Sequence, residues 1–171
     1  MHDSREKLVW VVIGLALMAL LPTSASAQDA VIVPKEELAD LIPSSLELCG
    51  RNVAIQMRNT SAVRFEGGQH LVAAIQDGTG YGSDVAERYT GILIAELPIR
   101  IGDSDLGTGT YGFGFGTEGI MNVFDLKGEK LFSVEMLRDE EMSRPRPLAM
   151  IVQEHAVRLY RGKDYVTLSA H

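Results

Sequence analysis

Past Gly50 the sequence breaks into short apolar runs separated by glycine and proline, and within the runs the side chains alternate. RNVAIQMRN at 51–59 puts Val53, Ile55 and Met57 on one side and Ala54, Gln56 and Arg58 on the other. SAVRFE at 61–66 and HLVAAIQ at 70–76 repeat the idea. A period of two is the signature of a half-buried strand, because successive side chains leave opposite faces. ILIAELPIRI at 92–101 is a longer case, with Leu93, Ala95, Leu97, Ile99 and Ile101 forming an unbroken apolar face. Pro98 lacks the N–H a ladder needs and marks an edge or bulge there. TYGFGFG, IMNVFDL, EKLFSVEM, PLAMIVQ, VRLYR and DYVTLSA continue the pattern. Gly67-Gly68, Lys127-Gly128 and Arg161-Gly162-Lys163 supply hairpin turns, GDSDLGTG at 102–109 reads as a connection, and RDEEMSRPRP at 138–147 reads as a charged surface loop.

Closely spaced hairpins imply antiparallel pairing. The expected fold is therefore mainly β: an antiparallel β-sandwich or barrel-like domain of about eight to ten short strands with one or two short helices. The helices are expected within 36–48, where Leu38, Leu41 and Ile42 share a face and Pro43 ends or breaks the run, and over 83–90, where Ser83 is an N-cap.

The N-terminus is read differently. Arg5 and Lys7 precede an apolar run at 8–21, followed by Pro22 and small residues ending in Ala25-Ser26-Ala27. This is a signal-peptide pattern with cleavage before Gln28. The competing reading is a retained anchor, but the run is shorter than the roughly 20 residues a bilayer demands. The division is 1–27 signal peptide and 28–171 one β-rich domain, exported to the periplasm or outside the cell, with no stable membrane span after cleavage. Cleavage would remove Asp3 and Glu6 with Arg5 and Lys7, leaving the net charge at -7. Such a chain repels phosphate backbones, so a nucleic-acid role is not expected. Cys49 is the one cysteine. It is expected to be a buried small hydrophobe, with a reactive thiol or a homodimer link as the alternative.

Gly114-Phe-Gly116-Thr-Glu-Gly119 spells the GxGxxG dinucleotide fingerprint. That motif works only between a strand and a helix whose N-terminus meets the pyrophosphate. IMNVFDL follows here, and its alternation says strand, so no nucleotide cofactor is expected. In a strand, Tyr111, Phe113 and Phe115 face one way and Gly112, Gly114 and Gly116 the other. The glycine face implies close approach of a neighbour or, alternatively, a ligand surface.

LPIRIGDSDLGTGTYGFGF, MNVFDLKGEKLFSV and VRLYRGKDYVTL together resemble hairpins of exported bacterial β-proteins of unassigned function. The resemblance implies a fold class and an envelope location and carries no catalytic residues. No HxH, HExxH or GxSxG pattern occurs. Asp103 and Asp105, and Asp77 and Asp84, sit in glycine-bearing loops that lack the remaining oxygen positions of a calcium loop, so no metal site is assigned. The expected function is a non-catalytic binding or structural module whose partner is an unidentified ligand or an envelope protein, with Gly112, Gly114, Gly116, His70 and Asp77 as candidate ligand contacts. The alternative is a small secreted hydrolase with a polar site near His70, Asp77 and Asp84.

Overall fold

A computed structural model describes residues 30–48, 51–77, 89–116, 119–153 and 156–170. Its strands form two antiparallel sheets packed face to face, consistent with a β-sandwich-like domain. The first sheet contains β1 (Val31–Ile32), β2 (Ser45–Leu48), β3 (Arg51–Arg64), β4 (His70–Gln76), β5 (Gly91–Ala95), β8 (Gly109–Phe115), β9 (Ile120–Phe124) and β10 (Lys130–Glu135). The second contains β6 (Ile99–Ile101), β7 (Ser104–Leu106), β11 (Leu137–Arg138), β12 (Arg146–Gln153), β13 (Ala156–Gly162) and β14 (Asp164–Ala170). There are more strands than the sequence pattern suggests because several span only two or three residues.

The predicted 92–101 strand is two strands. β5 pairs with β4 and β8 in the first sheet, whereas β6 pairs with β14 and β7 in the second. The break falls at Glu96–Pro98, where the proline interrupts the ladder. The apolar alternation survives the crossing. Leu93, Ala95, Ile99 and Ile101 are all buried in the core between the sheets. Likewise, 102–109 is not all connection. Gly102, with φ of 56°, and Asp103 make a tight turn into β7.

Conversely, 51–59 and 61–66 are expected as separate strands, but one long strand, β3, covers most of both. Its pairing with β4 steps from Ile55↔Gln76 to Thr60↔Ala74, so extra β3 residues bulge out between them. The bulge is closed by Asn59 Nδ2 donating to Gln56 Oε1 at 2.7 Å and Thr60 Oγ1 donating to the Gln56 carbonyl at 3.2 Å. The helix expected within 36–48 shrinks to α1 (Leu38–Leu41). Ile42 is already extended, and Ser45–Leu48 pairs with the start of β3 instead. Pro43 cannot continue the helix, which frees the chain to join the sheet. The helix expected over 83–90 lies largely outside the described residues.

Between the sheets, Phe113 and Phe115 meet edge to face at 5.3 Å, among Leu71, Met121, Val123, Leu159 and Leu168. The first sheet also buries its other face. Val33, Leu38, Ile42, Val53 and Ile55 cover Ala62, Val72, Ala74 and Ile92. That second layer explains why β4 is buried on both sides, with Leu71 to Ala74 all inaccessible. On one flank the sandwich is drawn together by the Met150 N–H donating to Ser61 Oγ at 2.9 Å, which ties β12 to β3.

Candidate functional site

The sequence-nominated residues do not converge. Gly112 sits on the outer face of β8, where a Cβ would collide with the Tyr89 ring. Tyr89 in turn packs on Phe124 at 5.1 Å. The space over Gly112 is thus taken by an aromatic side chain. Gly114 is buried opposite Asn122, and Gly116 is exposed at the strand end. Beyond Gly119 the chain enters β9, a strand and not the helix that a dinucleotide fingerprint demands.

His70 and Asp77 lie at opposite ends of β4, roughly 23 Å apart by the rise of an extended chain. They do not form a base and its orienter. His70 is instead held by other partners. Its N–H donates to Glu96 Oε2 at 2.7 Å, and its Nδ1 lies 2.9 Å from the same oxygen. Arg64 Nε donates to its Nε2 at 3.1 Å. An arginine can only donate, so Nε2 offers its lone pair and Nδ1 carries the proton. Both ring nitrogens are therefore engaged. The His70 backbone N–H, and then its ring, hold Glu96 below the ordinary carboxylate range, against a smaller opposing effect of burial. Arg64 also reaches Glu37 at 2.6 Å, completing a surface chain of polar contacts. Asp84 and Cys49 lie outside the described residues. Among the described residues no cluster of histidine, cysteine and carboxylate is arranged for a metal ion.

A different site is built on the outer face of the second sheet. The pairings Ile151↔Arg158 and Ala149↔Tyr160 set Ile151, Arg158 and Tyr160 side by side on that face. The 139–145 loop folds back over them, so Tyr160 is fully buried although it points away from the main core. Asp139 anchors the loop. Its Oδ1 accepts the N–H groups of Glu141 and Met142 at 3.0 and 3.2 Å, the usual way an aspartate closes a turn. Its Oδ2 accepts the Tyr160 hydroxyl at 2.8 Å. Arg158 donates to that hydroxyl at 3.4 Å and lies 4.4 Å above the Tyr165 ring, a cation–π contact.

The electrostatics follow from these bonds. The Tyr160 hydroxyl, aided by the two loop N–H groups and the Arg158 charge, holds Asp139 below its usual range although burial opposes it. Burial pushes the Tyr160 phenol up, with Asp139 adding to the effect and Arg158 opposing it. The Tyr160 hydroxyl also helps to keep Arg158 charged.

Between loop and sheet runs an open groove of about 660 Å³, floored by Ile151, Gln153, Arg158 and Tyr160 and walled by Asp139, Glu141, Met142, Ser143 and Arg144. Arg146 completes the lining. Arg146 also lines a second groove of about 360 Å³ between β1, the β3 bulge and β12, where Lys35, Arg58 and Asn59 lie. Comparison of the chain with family models, with curated proteins and with solved structures returned no match. The site therefore rests on its own geometry.

Sequence reading passed over it because its parts are scattered. Asp139, Arg144 and Arg146 fall in a stretch that reads as a solvated charged loop, and Arg158 and Tyr160 in one that reads as an ordinary strand. The sole local clue was SRPRP, in which each proline stiffens the chain around an arginine.

Proposed function

We propose that the chain is an exported cell-envelope domain that binds a ligand in the groove on the outer face of the second sheet and performs no chemistry on it. The observation that carries this reading is the construction of the groove. The Asp139–Tyr160–Arg158 chain fixes its loop wall to its sheet floor and leaves the volume between them open. Among the described residues, no histidine or cysteine lines either groove. Tyr160 and Asp139, the nearest acid–base pair, are already bonded to each other. A preformed, largely polar cleft whose described lining holds no histidine or cysteine to act as base or thiol nucleophile suits recognition better than turnover. The rival hydrolase reading is weakened because His70 has both nitrogens engaged and stands far from Asp77.

Export is tested by N-terminal sequencing of the protein recovered outside the cytoplasm. It is expected to begin at Gln28, and a full-length membrane-retained product would replace export with anchoring. Binding is tested by thermal shift against grouped compounds (organic acids, sugars, amino acids, nucleotides), alongside chromogenic ester, phosphoester and peptide substrates. A rise in Tm with at least one group, lost in Ile151→Trp, which fills the groove floor, is the expected result. Turnover that disappears in His70→Ala would favour the hydrolase. Neither a shift nor turnover would leave a structural module.

A further inference from the structure

Most arginines of this protein whose side chains are described have a partner. Arg64 bonds Glu37 and His70, Arg100 bonds Asp105, and Arg138 bonds Glu140 and Asp164. Arg158 is held by Tyr160 and Tyr165, and Arg161 lies 4.7 Å over the Phe115 ring. Among the described residues, Arg58, Arg144 and Arg146 form no ion pair, side-chain hydrogen bond or ring contact. All three line the two grooves, and Arg146 belongs to both. In a chain of net charge -7, the unpaired guanidinium groups among the described residues thus line two grooves that share Arg146.

Their backbone setting is a second, independent observation. Arg144 and Arg146 each precede a proline. Proline fixes its own φ and drives the residue before it into extended conformation, so the SRPRP segment has few shapes to lose on binding. The pairing of β12 with β13 shifts between Arg146 and Ala149, a bulge that re-aims the strand start where the two grooves meet. Met150, farther along β12, is fastened to Ser61 of β3, which holds the two grooves in register.

Resting on the reading of the groove as a binding site, we propose that the two grooves form one track for a small soluble anion carrying at least two phosphate or carboxylate groups. Arg146 holds the centre, Arg144 grips the end over the second sheet, and Arg58 with Lys35 grips the end beside the β3 bulge. Guanidinium groups take carboxylate and phosphate oxygens through two parallel N–H bonds, which suits short multivalent anions. The remaining charges set the limits. Asp139 stays ionised, with its oxygens turned to the Tyr160 hydroxyl and the loop N–H groups and the Arg158 charge nearby to offset it. Glu141 is exposed on the groove wall and opposes an anion there. The overall negative charge disfavours a long polyanion or an anionic bilayer, whose charge extends beyond the track.

The test is calorimetric titration of the purified protein with inorganic pyrophosphate and with citrate, at low and at physiological salt. Vesicles of phosphatidylcholine with and without phosphatidylglycerol are run beside them. At least one soluble anion is expected to bind saturably, weakening as salt rises. Arg146→Ala is expected to lower affinity roughly tenfold or more, with Arg58→Ala and Arg144→Ala each causing a smaller loss. Glu141→Gln should raise it about two- to fivefold. Arg100→Ala, a paired arginine outside both grooves, should leave it unchanged, and urea unfolding checks that each variant folds. Binding insensitive to Arg58→Ala would overturn the continuous track. Absence of binding by both soluble anions, or binding only to phosphatidylglycerol vesicles, would overturn the ligand class. A neutral compound that raises Tm while both anions fail would sink this inference and leave the binding reading intact.

Discussion

The two sheets treat their outer faces in opposite ways. The first covers its outer face with apolar side chains from α1, β2 and the start of β3, and Val33, Leu38, Ile42 and Val53 are all buried there. The second covers its outer face with a charged loop held by one aspartate, one tyrosine and one arginine. An apolar cover needs only shape and area, since burial stabilises in proportion to surface removed from water. A polar cover must meet named donors and acceptors at fixed distances, and where it does not reach the sheet it leaves a wet cleft. The difference explains why the open, polar groove lies over the second sheet.

Leu38→Ala should do the most damage, because it removes a buried side chain from the apolar cover. A loss of about 2–5 kcal/mol in global stability is expected from urea unfolding. A loss no larger than that of a polar-face variant would erase the contrast between the two covers. Gly112→Ala sharpens it on the same side of the molecule. The added methyl must displace the Tyr89 ring, so about 1–3 kcal/mol of destabilisation is expected even though alanine normally suits a strand better than glycine. A neutral result would mean that the ring swings aside freely and that the face over Gly112 can open.

Tyr160→Phe should cost less, about 0.5–1.5 kcal/mol, since it deletes the bond to Asp139 and the long 3.4 Å bond from Arg158 while keeping the buried ring. Its effect should be local. Hydrogen exchange at the Glu141 and Met142 amides, which bond Asp139, should speed up while the amides of β4 stay protected. Uniform loss of protection would show that the loop is part of the core and not a docked cover.

The smallest effect is one of pH. Asp139 is held below its unfolded value of about 3.9, so its contribution is present above that value and fades as pH falls through the lower folded value. Amide resonances of the loop should therefore move in acid before those of the apolar cover do. Simultaneous movement would remove the distinction.

Strand periodicity could be read directly where both sides of a strand obey one rule. The alternation at Leu93, Ala95, Ile99 and Ile101 named the inward face correctly even though the chain changes sheets at Pro98. Phe113 and Phe115 were likewise legible as core. Local reading failed at 36–48, where helical spacing and strand pairing compete and the β3 partner prevails. Nor does local reading say which candidate contacts lie near one another. His70 and Asp77 look close in sequence, but an extended strand carries them apart.

What the sequence determined by itself was the alternation, the turns and hence an antiparallel β fold, because these depend on backbone geometry and on neighbours a few residues away. Which glycine has an aromatic ring against it, which loop lies over which sheet, and which arginines are left without partners were decided only by the tertiary structure. Those properties join residues far apart along the chain, as Asp139 joins Tyr160 and Arg58 shares a groove edge with Arg146. Charge and hydrogen bonding act through space over a few ångströms, and only the folded chain brings such groups within that range.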